Sequence, residues 1–296
     1  MGGICVIGDV NVDIVSLLSQ PLQINSDTKT SNSFSLGGSP CNMSMWLSHI
    51  GTPVNFLAAV GTDLIGDWIK QELTRGGIST RYIQEIADSN SGSCIIMVNA
   101  DGQRTMLPDP AANLAFKLTD KETQVISNSS VVVMSAYSFL RTETRPLALE
   151  VVEVVKNCSA RLVIDAASSA PITAAGVELV REYLANADLV LANQDEFDVL
   201  DDPVWTSGLA DLVVKLGGAG AKWIRNGEDE CVVPAVAVAA IDTTGAGDSF
   251  LAGLVSVLAQ HQDWFAINNQ DRQDALVRAS EVAALNVVSV GAGPKV

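Results

Sequence analysis

Short apolar runs alternate along this chain with segments whose apolar positions recur every three or four residues. Residues 4–7 and 54–60 are rich in Val, Ile and Ala and have the length of buried strands. Met43, Leu47 and Ile50 follow the spacing of one helix face. This alternation predicts an α/β fold with three layers, in which helices cover both faces of a mostly parallel central sheet. The other predicted strands are residues 131–135, 162–165, 189–192, 212–216, 223–225 and 231–238, and the last two predicted helices are residues 246–260 and 274–290.

Two stretches, residues 12–36 and 93–108, do not fit this alternation. The second contains the turn signal ADGQ at residues 100–103 between two strand-like segments, which is typical of a hairpin. We therefore predict that both stretches form a small β-sheet outside the central sheet and act as a lid. No repeat or linker divides the chain, so we predict a single domain over residues 1–296.

Composition narrows the function classes. The chain has 296 residues, a formal net charge of -16 and a pI of about 4.4, and such a chain would be repelled by a nucleic-acid backbone. Its five cysteines are scattered and contain no CxxC pair, unlike a disulfide framework or a zinc site. We expect no signal peptide and no membrane span, because the first residues lack a basic stretch and no apolar window is long enough. The sequence thus predicts a cytoplasmic protein.

The strongest candidate for chemistry is the segment DTTGAGDSF at residues 242–250, between a strand pattern and a helix pattern. Gly245 and Gly247 allow a ligand to approach the main chain, and the first N–H groups of the helix are free to bind an anion. Asp248 would repel that anion, but it could accept a proton from a hydroxyl group that attacks it. On the glycine pattern alone, an ordinary loop with an aspartate at the helix start remains an equal alternative.

Two better-known nucleotide motifs are absent. The chain has no GxxxxGK[ST] segment, which excludes a P-loop enzyme. No GxGxxG follows the first strand, where CVIGDVNVD stands instead, so a dinucleotide-dependent oxidoreductase is disfavoured.

Four motifs together resemble the ribokinase-like (PfkB-type) carbohydrate kinases. DTTGAGDSF resembles the C-terminal signature of that family, and GGSPCN at residues 37–42 resembles its N-terminal signature. NQDE at residues 193–196 is similar to the family's Asn-x-x-Glu motif, and LGGAG at residues 216–220 is similar to its nucleotide-side glycine loop. The motifs occur in the family's order and span essentially the whole chain. The resemblance implies an ATP-dependent kinase that transfers the γ-phosphoryl group to a hydroxyl of a small sugar.

The resemblance also implies roles for individual residues. Asp248 would be the catalytic base, and the N–H groups of Gly245, Ala246 and Gly247 would form the anion hole. The sugar would be bound by Asn11, Asp13, Gly38 and Asn42. The nucleotide would lie along Asn193, Glu196, Lys215, Gly217 and Gly220, and Glu196 would bind Mg²⁺ through water. A monovalent cation such as K⁺ would be bound by Asp242 and the carbonyl group of Thr244, with carbonyl groups near Ser289 and Gly291 completing the site.

Two departures leave the sugar open. Ser39 stands where ribokinases commonly have a lysine, and Ala-Ala-Ser-Ser follows Asp165 where many fructokinases and ketodeoxygluconate kinases have Asn and Arg. A nucleoside kinase is one alternative, for which Phe34 and Met106 are the only candidate platforms for a base. A non-catalytic sugar or nucleotide sensor is another, although a sensor has no need of Asp248. An exposed lid sheet also predicts a homodimer formed through the lid.

Overall fold

The computed structural model describes residues 3–226, 228, 230–261, 263–264 and 266–295. Its first strand sets the pattern of the core, since Ile4 and Val6 pack on one face of the sheet and Cys5 and Ile7 pack on the other. All four side chains are almost completely buried. A strand that is buried on both faces requires a helical layer on each side, which is the predicted three-layer arrangement.

The strands and helices follow the alternation of the sequence. In chain order, the strands are β1 (Gly3–Ile7), β2 (Asn11–Leu18), β3 (Thr30–Gly37), β4 (Val54–Gly61), β5 (Ile83–Ile86), β6 (Gly92–Val98), β7 (Arg104–Asp109), β8 (Ser129–Ser135), β9 (Arg161–Asp165), β10 (Leu189–Asn193), β11 (Asp211–Lys215), β12 (Ala221–Arg225) and β13 (Cys231–Val233). The helices are α1 (Ser39–His49), α2 (Leu64–Arg75), α3 (Asp120–Ser127), α4 (Tyr137–Leu140), α5 (Arg145–Lys156), α6 (Ser169–Ala175), α7 (Val177–Leu184), α8 (Gln194–Leu200), α9 (Pro203–Gly208), α10 (Ala246–Leu258) and α11 (Asn269–Val287).

The large sheet has the strand order β13-β12-β11-β10-β9-β8-β1-β4-β5. All neighbouring strands in it are parallel except at one edge, where β12 is antiparallel to both β11 and β13. This agrees with the predicted mostly parallel α/β fold. No helix within the described ranges has both the length and the apolarity that a membrane span requires.

A separate small sheet has the order β3-β2-β6-β7 and is formed by residues from both stretches that departed from the alternation. Its central strands, β2 and β6, are parallel, and each has an antiparallel partner at the edge. Asp13 and Arg104 lie on the face that is turned towards the large sheet, because both interact with residues at the start of α10 or just before it. We call this the inner face. Along each strand of the small sheet, successive side chains alternate between the inner face and the opposite, outer face.

Two predicted boundaries are wrong. The strand predicted at residues 231–238 ends at Val233, because Pro234 follows and cannot donate to a strand ladder. The last helix is not residues 274–290 but Asn269–Val287, since Asn268 and Asp271 form a reciprocal capping box that fixes its start.

A buried ion pair joins the two strands that lead to the glycine-rich turn at residues 217–220. Both oxygens of Asp211 accept from the Arg225 guanidinium, at 2.8 and 2.9 Å, and Trp223 Nε1 donates to Oδ1 at 2.5 Å. Arg225 also donates to the carbonyl groups of Ile267 and Trp264. The pair therefore ties the antiparallel edge of the sheet to the segment that precedes α11.

Substitution Arg225→Ala is expected to lower the free energy of unfolding by about 3 kcal/mol, because it leaves the Asp211 carboxylate buried without its partner. Urea denaturation measures this loss. Lys156→Ala is the matched control, since it removes an exposed pair with Glu153 and should change stability by less than about 0.5 kcal/mol. Equal effects of the two substitutions would contradict the structural role of the buried pair.

Candidate active site

Three polar side chains lie at the carboxyl ends of three adjacent parallel strands. Asp165 ends β9, Asn193 ends β10 and Lys215 ends β11. In an open parallel sheet, ligands bind at this edge. Lys215 Nζ donates to Asp165 Oδ2 at 3.0 Å, and its ammonium group would lie 3.1 Å from a Cβ atom placed on Gly247. The end of β11 therefore carries a positive charge to the start of α10.

The turn before α10 exposes main-chain donors. Gly245 is the N-cap of α10 and has a φ of 76°, a left-handed conformation that favours glycine. Within the described part of the chain, the N–H groups of Gly245 and Gly247 have no main-chain acceptor, whereas the N–H of Ala246 donates to Thr243 O at 3.2 Å. Gly245 and Gly247 thus leave two main-chain donors at a helix N-terminus, where anions can bind, and we refer to this segment as the anion-binding turn. The Ala246 N–H is engaged within the turn, and its place in the anion hole stays a prediction.

The Asp248 carboxylate is held by two side chains of the GGSPCN motif. Ser39 Oγ donates to Oδ1 at 2.5 Å, and Asn42 Nδ2 donates to Oδ2 at 3.0 Å. Burial raises the pKa of Asp248 to about 6, although these two hydrogen bonds oppose the shift; the Asp165 charge raises the pKa further and Lys215 lowers it. A carboxyl group with this pKa is ionised at neutral pH and is basic enough to accept a proton from a positioned hydroxyl.

The predicted sugar-binding residues face this carboxylate from the other side. Asn11 and Asp13 are two residues apart on β2, so they share the inner face of the small sheet. Burial raises the pKa of Asp13 to about 6, and the charge of Asp248 raises it further. A side chain on Gly37 would overlap the Asp13 carboxylate, since its Cβ would lie 2.0 Å from Oδ1. The absence of a side chain at Gly37 therefore leaves the space that the Asp13 carboxylate occupies.

Gly38 and Asn42 complete this group. Gly38 has a φ of 92°, and a Cβ on it would lie 2.5 Å from the carbonyl oxygen of Asp9. Asn42 is buried, and its Oδ1 has no hydrogen-bond partner among the described residues. A buried acceptor without a donor is costly to a folded protein, and a ligand hydroxyl would satisfy it.

Asn193 and Glu196 hold each other at the start of α8. Glu196 Oε2 accepts from Asn193 N at 2.7 Å, Glu196 Oε1 accepts from Asn193 Nδ2 at 2.6 Å, and Glu196 N donates back to Asn193 Oδ1 at 2.8 Å. Burial raises the pKa of Glu196 to about 7, with a further contribution from the Asp165 charge. The capping box leaves each carboxylate oxygen with one remaining acceptor site. Those remaining sites could accept hydrogen bonds from the water ligands of a magnesium ion, and the Mg²⁺ role of Glu196 stays a prediction.

Lys215 is the cation of this acidic cluster. Burial alone would lower its pKa, but the charges of Asp165 and Glu196 and the bond to Asp165 outweigh that effect and raise it. The ammonium group therefore stays charged beside the anion-binding turn. Sequence reasoning assigned Lys215 to the nucleotide and did not identify Asp165 as its partner.

The glycine-rich turn after β11 contacts the segment that follows β13. Gly217 and Gly220 have φ values of 57° and 106°, and a Cβ on Gly220 would lie 2.0 Å from Val233 O. The segment that continues from Val233 leads to Ile241, whose N–H donates to Val287 O at the end of α11. Exposed apolar side chains of this segment and of the residues just after α11, together called the exposed apolar strip, are Val236, Val238, Ile241, Val288 and Val290.

Two residues of the predicted cation site, Thr244 and Gly291, contact Asp242 through hydrogen-bond donors rather than through carbonyl groups. Thr244 N and Thr244 Oγ1 donate to Asp242 Oδ1 at 2.9 and 2.7 Å, and Gly291 N donates to Oδ2 at 3.0 Å. A residue that sequence reasoning missed, Arg104 of β7, donates to Oδ1 at 2.7 Å and also contacts Thr244 Oγ1. Burial would raise the pKa of Asp242, but these hydrogen bonds hold it well below its usual range. Ser289 instead donates to the carbonyl group of Asn286.

Asn113 is another residue at this site that local sequence signals did not reveal. Its Nδ2 donates to Asn11 Oδ1 at 2.9 Å and to Val10 O at 3.2 Å, and its Oδ1 accepts from Val10 N at 3.0 Å. The bond to Asn11 Oδ1 orients the Asn11 amide, whose nitrogen has no hydrogen-bond acceptor among the residues that the structure describes and could donate to a ligand. The sequence around Asn113, AAN at residues 111–113, gives no indication of a partner 102 residues away.

Substitution Asp248→Asn is expected to stabilise the unliganded protein at pH 8 by about 3 kcal/mol, since one pKa unit corresponds to about 1.4 kcal/mol. The folded-state pKa of about 6 exceeds the ordinary value of 3.8, so the folded protein binds the proton more tightly and loses stability as pH rises through this range. The gain should vanish below about pH 4, where both states are protonated. Denaturation at several pH values measures it, with the exposed Asp27→Asn as control, and a variant less stable than the wild type at pH 8 would refute the shift.

Comparison with known proteins identifies the family. The model of the pfkB family carbohydrate kinases matches residues 1–296. Ribokinase of Mus musculus is 26% identical over 97% of this chain and 90% of its own length, and probable fructokinase-4 of Arabidopsis thaliana is 25% identical over 87% and 83%. The solved structure of Arabidopsis thaliana ribokinase complexed with ribose and ATP has a TM-score of 0.82 at 21% identity, covering 98% of this chain and 94% of that one. The fold, the order of the motifs and the match over the full length show that this chain belongs to the pfkB family of carbohydrate kinases.

Proposed function

We propose that this enzyme transfers the γ-phosphoryl group of ATP to a hydroxyl group of a small neutral sugar, with Asp248 as the base. The observation that carries the proposal is the position of the Asp248 carboxylate in the first turn of α10, three residues after Gly245. One helix start therefore supplies both a proton acceptor and the N–H groups that bind a phosphoryl group. A loop that only bound anions would have no use for that carboxylate.

The residues divide the reaction between them. The acceptor hydroxyl gives its proton to Asp248 while its oxygen attacks the γ-phosphorus, and the bond to the β-phosphate oxygen breaks. Ser39 and Asn42 hold the carboxylate in place for this transfer. The N–H groups of Gly245 and Gly247 stabilise the negative charge on the phosphoryl oxygens as it is transferred.

The charge of the sugar site favours a neutral substrate. The negative charge of Asp248 raises the pKa of Asp13, so each carboxylate makes it harder to ionise the other. Among the described residues, neither carboxylate forms an ion pair with a lysine or arginine. A sugar acid or sugar phosphate would add a third negative charge there, whereas vicinal hydroxyls suit carboxylate and amide groups. Asn11, Asp13 and the free Oδ1 of Asn42 would bind those hydroxyls.

ATP would lie between the anion-binding turn and the exposed apolar strip. Lys215 supplies a positive charge for the phosphates, Gly217 and Gly220 let the main chain approach the nucleotide, and the strip from Val236 to Val290 offers an apolar surface to the base. Mg²⁺ bound with ATP would neutralise the phosphate charges, with Glu196 and Asn193 ordering its water ligands. The small sheet would act as a lid that excludes water from the sugar.

The location of this protein in the cytoplasm stays a prediction.

The resemblance also predicts K⁺ at Asp242, but the donors around that carboxylate argue against it. Each oxygen of an ionised carboxylate has about two acceptor sites. Asp242 Oδ1 already accepts three hydrogen bonds, two from Thr244 and one from Arg104, and Oδ2 accepts one from Gly291. A cation at Oδ1 would have to displace a donor, and one near Oδ1 would also meet the positive charge of Arg104.

Two alternatives remain testable. A nucleoside kinase needs an apolar platform for the base, and of its two candidates only Met106 lies on the inner face, since Phe34 pairs with Ile14 on the outer face. A non-catalytic sensor would bind a sugar without releasing ADP. Both alternatives are separated from the proposal by assaying ADP release against neutral sugars, a sugar acid, a sugar phosphate and nucleosides.

In that assay, a neutral pentose or hexose is expected to be the best substrate, and ribose is the first to try because of the two ribokinase relatives. Asp248→Asn should reduce kcat on that sugar by about 10²- to 10⁴-fold, because the reaction loses its general base. The wild-type kcat/KM should fall as pH drops below about 6, when Asp248 becomes protonated. Turnover by Asp248→Asn close to that of the wild type would rule out the assigned base, and preference for a nucleoside would rule out the sugar.

We also propose a homodimer formed by the outer face of the small sheet. Four apolar side chains form one continuous row across its strands, because Ile14 is paired with both Phe34 and Ile95, and Ile95 is paired with Leu107. Phe34 and Leu107 are 66% and 51% exposed, which is unusual for a contiguous apolar row. A second copy of the same sheet is a complementary partner for it.

Replacing both Phe34 and Leu107 by Glu should convert this dimer to a monomer, because charges would then be buried in an apolar contact. Light scattering coupled to size exclusion measures the mass. Val204→Glu is the control, since it adds a charge at an exposed apolar residue of α9. A wild-type protein that is monomeric at assay concentration, or a dimer that survives the double substitution, would contradict the proposed interface.

A further inference from the structure

We propose that Arg104, carried by the small sheet, takes the place of the monovalent cation at Asp242 and links closure of that sheet to the ordering of the anion-binding turn. The inference rests on the proposed kinase function for its meaning, although part of its test does not. It concerns a positioning residue, because Arg104 acts through Asp242 and Thr244 rather than on the reacting atoms.

The first support is the set of donors around Asp242. The carboxylate accepts Thr244 N, Thr244 Oγ1 and Arg104 Nη2 on one oxygen and Gly291 N on the other. Three of these bonds fall on Oδ1, which has about two acceptor sites, so a cation at this oxygen would have to displace a donor. Gly291 turns its N–H to Asp242, while its carbonyl oxygen accepts from Asn286 Nδ2 at 3.2 Å. The side of the carboxylate formed by Oδ1 is thus occupied by hydrogen-bond donors, and one of them, Arg104, is itself a cation.

The second support is charge. Asp242 lies three residues before Gly245, so its negative charge stands beside the turn that would bind phosphate. A cation next to Asp242 offsets that repulsion. The guanidinium group of Arg104 is permanently charged and lies 2.7 Å from Asp242 Oδ1, and the Asp242 side chain is only 12% exposed. Arg104 therefore provides at this point the single positive charge that a potassium ion would provide.

Arg104 belongs to the small sheet, whereas its partner Asp242 lies beside the large sheet. Arg104 is the first residue of β7 and follows the turn at the far end of the β6–β7 hairpin. It reaches a partner 138 residues away in the chain. This bond exists only when the hairpin lies over the edge of the large sheet. Since the same carboxylate orients Thr244, which precedes Gly245, closing the small sheet also fixes the turn that binds the phosphoryl group.

The test compares the wild type with Arg104→Ala and with Lys29→Gln, which removes an exposed positive charge just before β3 of the same sheet. Turnover is measured with KCl and with tetramethylammonium chloride. The wild-type kcat should agree within about twofold in the two salts. Arg104→Ala should lose about tenfold or more in tetramethylammonium, as expected for one charged hydrogen bond, and should recover several-fold with KCl or guanidinium chloride. Lys29→Gln should behave as the wild type.

A second readout does not depend on catalysis. Thallium(I), which substitutes for K⁺, is titrated into each protein and followed by ²⁰⁵Tl NMR. Specific binding is expected for Arg104→Ala and not for the wild type or Lys29→Gln. Thallium binding by the wild type, or by neither the wild type nor Arg104→Ala, overturns the proposal. A wild-type kcat that KCl raises more than about tenfold also overturns it. So does an Arg104→Ala kcat that equals the wild-type value in tetramethylammonium. If the wild type phosphorylates no sugar at all, the proposed function fails, while the thallium comparison still decides the role of Arg104.

Discussion

One partly buried ammonium group is shared by the carboxylates at the carboxyl edge of the large sheet. Lys215 bonds to Asp165 directly and also lowers the electrostatic cost of ionising Glu196 and Asp248. Without it, three acids would face one another where a polyphosphate has to bind, in a chain that already carries a formal charge of -16. The basicity of Asp248 is therefore a property of the cluster, set jointly by burial, Asp165 and Lys215, and not of the glycine-rich segment alone.

Much of the fold could be predicted because the signals that specify it are local. A parallel strand covered on both faces is a continuous apolar run, and residues 131–135 and 189–192 were recognisable for that reason. The turn before α10 was recognisable because glycines, an aspartate and the start of a helix lie within seven residues. Local signals failed where a cap or a proline decided the boundary, as at Asn268 and Pro234. At both places the pattern of apolar residues continues past the end of the strand or helix that the structure shows.

The parts of the site that could not be predicted depend on contacts between distant segments. Ser39 stands in a recognised motif, but its bond to Asp248 joins residues 209 positions apart. Arg104 and Asn113 lie in an exposed strand and a short turn whose sequences are ordinary, and only the closed small sheet brings them to Asp242 and Asn11. The resemblance to a family supplied the list of ligands, while the partners that this chain uses to hold them follow from its own tertiary structure.

The position of β7 has a consequence for how this protein can change in length. Asn113 anchors the chain just after the strand, and Arg104 stands at its other end, so the six residues of β7 act as a spacer of about 20 Å between them. Inserting one residue would turn the guanidinium to the opposite face, and inserting two would restore the face but shift it by about 7 Å. Insertions and deletions are therefore expected in the exposed loop at residues 19–29, and not between residues 104 and 113.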